Sequence, residues 1–128
     1  MQFTEQFNRF VCFGDSISVE IDGTTFTARL EPDTDSRPHD DDCYSKHSIQ
    51  RWLNDEWYFA GIVISAERNG WTRDHIDSLW GVEINFGDDD RPHLMECAND
   101  CLAQAIEHLT RIEHLAPTKP GTTQENQP

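Results

Sequence analysis

The chain predicts an α+β domain, an antiparallel β-sheet in the order ββαββα packed against a long C-terminal helix. Three observations predict it. Alternating apolar and polar residues flank Asp22-Gly23 as in a tight hairpin, residues 57–66 form a nearly unbroken apolar run, and apolar residues recur at helical spacing over 94–112. The 128 residues suit one domain, taken as 1–116, with 117–128 read as a disordered tail rich in Pro, Thr and Gln.

Each element has its own justification. Phe3, Phe7 and Phe10 fall at helical spacing behind Thr4, while 7–13 fits a strand equally well, so that choice stays open until Gly14 breaks the pattern. Next, Ile17, Val19 and Ile21 alternate with polar residues, and Phe26, Ala28 and Leu30 do the same after Asp22-Gly23. Asp-Gly suits a type I′ turn, whose two central residues both need positive φ. The implied register sets Ile21 against Thr24, Val19 against Phe26 and Ile17 against Ala28, which gathers the apolar side chains on one face.

Residues 31–44 are acidic, contain Pro32 and Pro38, and read as a long loop. Ser45 caps an expected short helix over 46–55, with Ile49, Trp52 and Leu53 on its inner side. The run 57–66 is the expected central strand, buried on both faces. A turn at Asn69-Gly70 precedes a strand over 79–86 with Trp80, Val82, Ile84 and Phe86 on one side. Leu94, Ala98, Leu102, Ala105, Leu109 and Ile112 then form the stripe of an amphipathic helix that Pro117 stops.

Charge is the most informative feature for function. Asp and Glu number 24 against 10 Lys and Arg, a net charge of −14. Much of the acid is gathered at Asp33, Asp35, Asp40, Asp41 and Asp42, and again at Asp88, Asp89 and Asp90. Such a surface repels nucleic acid and anionic membranes and attracts basic clefts. With hydrophobic residues at 36% and aromatics at 10%, the chain has the means to build a core. No run approaches the roughly 20 apolar residues of a membrane span, and residues 1–5 lack a signal-peptide pattern, so a cytoplasmic protein is expected. Reduced thiols are then the expectation for Cys12, Cys43, Cys97 and Cys101.

Three motifs suggest site chemistry. Phe13-Gly14-Asp15-Ser16-Ile17 resembles the nucleophile block of the GDSL (SGNH) hydrolases, Asn54-Asp55 their Asn block, and Asp90-Arg91-Pro92-His93 their Asp-x-x-His block. The resemblance implies Ser16 as nucleophile, His93 as base, Asp90 as its orienting acid and Asn54 as an oxyanion donor. The predicted setting is wrong for it: Ser16 opens a hairpin strand, no βα repeat follows, and the Asn block lacks its glycine. His93, Cys97 and Cys101 recur every four residues, as do Cys43 and His47, but the short Cys-x2-4-Cys knuckle of structural zinc sites is absent. The stretch 33–38 lacks the central Gly and closing Glu of an EF-hand loop. No metal, cofactor or catalytic residue is therefore assigned, and Cys97 and Cys101 are open as core residues or ligands.

The acidic loops remain the candidate. Same-face residues of a strand lie about 6.7 Å apart, and loops crowd carboxylates closer. Duplex DNA presents a phosphate about every 3.4 Å along each strand. Converging acidic loops can thus imitate a phosphate backbone, with Asp33, Asp35, Asp40, Asp41, Asp42, Asp88, Asp89 and Asp90 as partner contacts. Glu31, Asp74 and Asp77 extend the patch if the turn before Leu79 folds alongside.

Blocks spread along the chain carry a resemblance. Gly14-Asp15-Ser16-Ile17, Thr27-Ala28-Arg29-Leu30-Glu31, Asp35-Ser36-Arg37-Pro38, Asp42-Cys43-Tyr44, Glu56-Trp57-Tyr58-Phe59-Ala60-Gly61, Ser78-Leu79-Trp80-Gly81-Val82-Glu83 and Glu96-Cys97-Ala98-Asn99-Asp100 resemble blocks of small uncharacterised acidic proteins from proteobacterial phages and prophages. Cys97 and the run 88–90 depart from the commoner pattern. The resemblance implies a mobile-element setting in which small acidic proteins inhibit host defences such as CRISPR and restriction systems. The leading expectation is a non-enzymatic inhibitor acting in the host cytoplasm. Its acidic loops mimic DNA to a basic nucleic-acid-binding defence protein, a CRISPR effector being the leading instance. Binding to nucleic acid itself or to a membrane is not expected. The alternative is an interaction or structural module using the aromatics Trp52, Tyr58 and Trp71; an SGNH-like esterase ranks behind both. An uncovered hairpin edge would suit a homodimer.

Overall fold

A computed structural model of the protein describes residues 1–115. The expected tail, 117–128, lies outside the described residues. The elements are β1 (Ser16–Ile21), β2 (Thr24–Pro32), α1 (Lys46–Leu53), β3 (Tyr58–Arg68), β4 (Trp71–Ile84) and α2 (Arg91–Leu115), with a 3-10 turn at Pro38–Asp40 between β2 and α1. This is the α+β order ββαββα. The four strands form one antiparallel meander, β1-β2-β3-β4.

The β1–β2 hairpin has the register its alternation dictates, with Ile21 opposite Thr24, Val19 opposite Phe26 and Ile17 opposite Ala28. Asp22 and Gly23 both have positive φ, 52° and 83°, as a two-residue turn requires. Phe26, Ala28 and Leu30 of β2, Ala60, Ile62, Ile64 and Ala66 of β3, and Val82 and Ile84 of β4 join one buried cluster with Leu94, Ala98, Leu102, Ala105 and Leu109 of α2. Helix α2 therefore closes one face of the sheet, and Cys97 and Cys101 belong to that core.

The open choice at the N-terminus resolves to neither alternative. Residues 1–15 form no helix or strand. They are an extended strap whose Phe3, Phe7 and Val11 plug the core, while the Phe3 and Val11 amides donate to the side-chain carbonyls of Asn99 and Asn85. Helix α1 ends at Leu53, short of the expected 55, and Leu53 is 54% exposed and not on an inner side. Ser45 does cap it, accepting from the Ser48 amide.

The largest difference lies in β4. It begins at Trp71, eight residues before the alternation becomes visible at Leu79. A bulge opposite Gly61 inserts an extra residue, with Ala60 paired to Val82 but Ile62 paired to Leu79. Gly81 occupies it at φ 75°. Side chains flip at such a bulge, so Trp80 leaves the side of Val82 and Ile84 and lies on the opposite face over Gly61. Asn85, at φ 59°, then turns Phe86 away from Ile84 and toward Trp57.

Candidate functional site

Antiparallel pairing decides where the acidic segments go. Pro32 at the end of β2 pairs with Ala60 near the start of β3, and Tyr58 pairs with Ile84 at the end of β4. The chain therefore leaves β2 toward 33–42 and leaves β4 toward 88–90 at the same end of the sheet. An aromatic cluster joins the two segments there. Tyr44 stacks on Trp57 at 5.5 Å between ring centroids and meets Phe86 edge-on at 6.1 Å; Trp57 meets Phe86 at 4.7 Å. Trp57 is fully buried, and its indole N–H donates to the Ser48 carbonyl. The Tyr44 hydroxyl donates to the Glu83 carboxylate, and burial, reinforced by that carboxylate, pushes its ionisation well above the ordinary tyrosine range. Arg51 ties α1 to the same place by donating to the Phe86 carbonyl at 3.0 Å.

The eight candidate aspartates have different roles. Asp33 is a structural hub: its carboxylate accepts from the amides of Asp35, Ser36 and Gly81 and from the Ser36 hydroxyl, at 2.8–3.2 Å. Burial opposes its charge, but those four donors outweigh it and hold the carboxyl below its usual range. Asp90 accepts from the Phe86 and Gly87 amides, folding the turn that starts α2. Asp89 forks onto the Arg91 guanidinium, whose side-chain and backbone donors lower its carboxyl to about 2. Asp41 accepts from the Cys43 amide, which lowers it as well.

Asp35, Asp40, Asp42 and Asp88 are exposed, and their carboxylates make no hydrogen bond or ion pair among the described residues. These four carboxylates are free of partners within the described chain; Asp41 is exposed as well and keeps its charge while holding the Cys43 amide. Glu31 is engaged by Arg29. Asp74 and Asp77 lie within β4, not in a turn folded alongside the acidic loops.

The aromatics also rearrange. Trp52, Tyr58 and Trp71 are each half-buried, with Trp52 against His39 and Tyr58 against Phe13. The exposed aromatics are Phe10 (68%), Trp80 (46%) and Phe13 (41%). Phe10 and Phe13 sit on the strap as it crosses the acidic end, where Arg9 donates to the Asp88 carbonyl and the Gly14 amide to the Leu30 carbonyl. The glycine after Trp80 was the signal for that side chain's exposure, because a glycine inside a strand marks a bulge.

The hydrolase set does not assemble. His93 contacts Cys97 Sγ at 3.7 Å and Glu96, Asp90 holds the Phe86 and Gly87 amides, and Asn54 accepts from Gln50. Among the described residues, Ser16 makes no side-chain hydrogen bond to any of them. Burial raises both α2 thiols, and nearby carboxylates add to it; Cys101 is pushed up to about 12. Among the described residues no three His, Cys, Asp or Glu side chains group as a metal site, and no helix is long and apolar enough to cross a membrane. Comparison with protein-family models, curated proteins and solved structures found no match.

Proposed function

We propose that the protein is a phage- or prophage-type inhibitor that acts in the host cytoplasm. Its acidic end occupies the basic groove of a nucleic-acid-binding defence protein, such as a CRISPR effector. One observation carries the reading: the two acidic segments leave the same end of the sheet and are joined through Tyr44, Trp57 and Phe86. A packed aromatic joint holds the two segments together before binding, which lowers the ordering cost of association. Exchange of such a surface for polynucleotide draws on counterion release, so binding weakens steeply as salt rises.

The test is charge reversal at the unpartnered carboxylates. Asp40, Asp42 and Asp88 are changed together to Lys, and inhibition of DNA cleavage is measured for purified proteobacterial CRISPR effectors and restriction endonucleases at two salt concentrations. The expected result is inhibition of one such enzyme by the unmodified chain, weaker at high salt and lost in the variant. Equal inhibition by both proteins, independent of salt, rejects the mechanism.

A second reading has its own observation. Phe10 and Phe13 are exposed at the same end, and aromatic anchors dominate many protein interfaces. If Phe10→Ala with Phe13→Ala abolishes partner binding while charge reversal does not, apolar contact carries the interaction.

A further inference from the structure

We propose that the depression between Trp80 and the start of the acidic loop is a receptor pocket for an arginine side chain of a basic protein partner. The inference rests on the reading of the acidic end as a partner-binding surface and names a specific contact within it. The depression encloses about 470 Å³ and is lined by Trp80 and residues 32–36.

Its floor is held in place. An atom added at the Gly61 Cβ position would overlap the Trp80 ring, so the indole lies directly on the glycine backbone. The Trp80 indole N–H donates to Ser78 Oγ at 3.0 Å, fixing the ring's rotation. One ring face is thus spent on Gly61, while the side chain remains 46% exposed.

The rim is held equally well. Asp33 accepts from the Gly81 amide at 2.8 Å, tying the loop to the bulge that re-aims Trp80. It also accepts from the Asp35 amide at 3.0 Å, positioning the next acidic residue along the rim. Asp35 lines the depression, and its carboxylate makes no hydrogen bond or ion pair among the described residues.

A fixed aromatic face beside an unpaired carboxylate fits a planar cation. Guanidinium stacks on indole and forks onto carboxylate, and it is less strongly hydrated than ammonium, so arginine fits better than lysine. The net charge of −14 favours the same sign of ligand. Asp33 is a positioning residue here, because its carboxylate is occupied by donors from its own chain.

The experiment uses the full chain, isotope-labelled, titrated with a blocked Gly/Arg peptide and with the same peptide carrying citrulline at every arginine. The expected result is a saturable shift of the Trp80 indole N–H resonance with the arginine peptide and none with the citrulline peptide. Trp80→Ala and Asp35→Asn should each weaken binding roughly fivefold to tenfold. The Asp35 variant alters an exposed side chain, so it remains informative if removing Trp80 disturbs the fold. Shifts confined to Asp40, Asp42 and Asp88, with both variants titrating like the parent, overturn the pocket and leave the acidic-end reading standing. Equal binding of arginine and citrulline peptides overturns the pocket by removing the cation from recognition.

Discussion

Eight aspartates that look alike in the chain separate, once folded, into those whose carboxylates accept hydrogen bonds from their own chain and those whose carboxylates accept none. The local string shows only part of what separates Asp33 from Asp35: the Asp35 amide and the Ser36 amide and hydroxyl lie two and three residues on, but the fourth donor is the Gly81 amide, 48 positions away from Asp33. Replacement should expose the difference. Asp33→Ala removes an acceptor serving four donors and should cost roughly 1–2 kcal/mol in urea unfolding, whereas Asp35→Ala should stay within about 0.5 kcal/mol. Acid gives a second readout. The folded state holds the Asp33 carboxyl below its usual value, so its contribution is present above the ordinary carboxylate range and is lost as pH falls through the folded value. Asp33→Asn should therefore lose less stability than the parent between pH 7 and pH 3, measured by urea midpoint. Thiol reactivity belongs to the same scale. Cys12 and Cys43 are exposed while Cys97 and Cys101 are buried, so Ellman's reagent should modify only the first two in the native protein, Cys43 slowly because the hydrogen bond to Asp41 raises its thiol, and all four after unfolding. Rapid native reaction of all four would contradict the packing of α2.

Among elements, the β1–β2 hairpin and α2 were the most legible, because each is written in local signals. Asp22-Gly23 specifies a turn, and a stripe of Leu and Ala at helical spacing specifies a buried helix face. Strand β4 was legible only in part. Its first half, Trp71 to Ser78, carries Arg73, Asp74, His75 and Asp77 at the sheet edge, where charges are common and alternation is weak. Its second half alternates cleanly, yet the bulge at Gly81 inverts one side chain, and that inversion puts Trp80 on the surface. The N-terminal strap was ambiguous for a related reason: Phe3, Phe7 and Val11 fall four residues apart, a spacing that fits a helix or one face of a strand, yet they fill gaps in a core built by other elements and the segment forms neither. The bulge predicts a measurable cost. Gly81→Ala forces a β-carbon into a left-handed backbone and should destabilise the protein by about 1–2 kcal/mol. Gly61→Ala should displace the indole, seen as a changed Trp80 N–H resonance with the remaining sheet amides little altered.

At the scale of the whole molecule, composition announced an acidic surface, but only the meander shows that both acidic segments leave one end of the sheet. That arrangement follows from two antiparallel pairings, which bring residues 32 and 84 to the same end of β3. The central claim is that this end competes with nucleic acid for a basic groove. Its most direct test is competition on an immobilised chain holding one purified defence effector, challenged with increasing duplex DNA. DNA should release the bound effector, and a chain carrying Asp40→Lys, Asp42→Lys and Asp88→Lys should never retain it. Retention that is indifferent to both DNA and charge reversal would contradict the account.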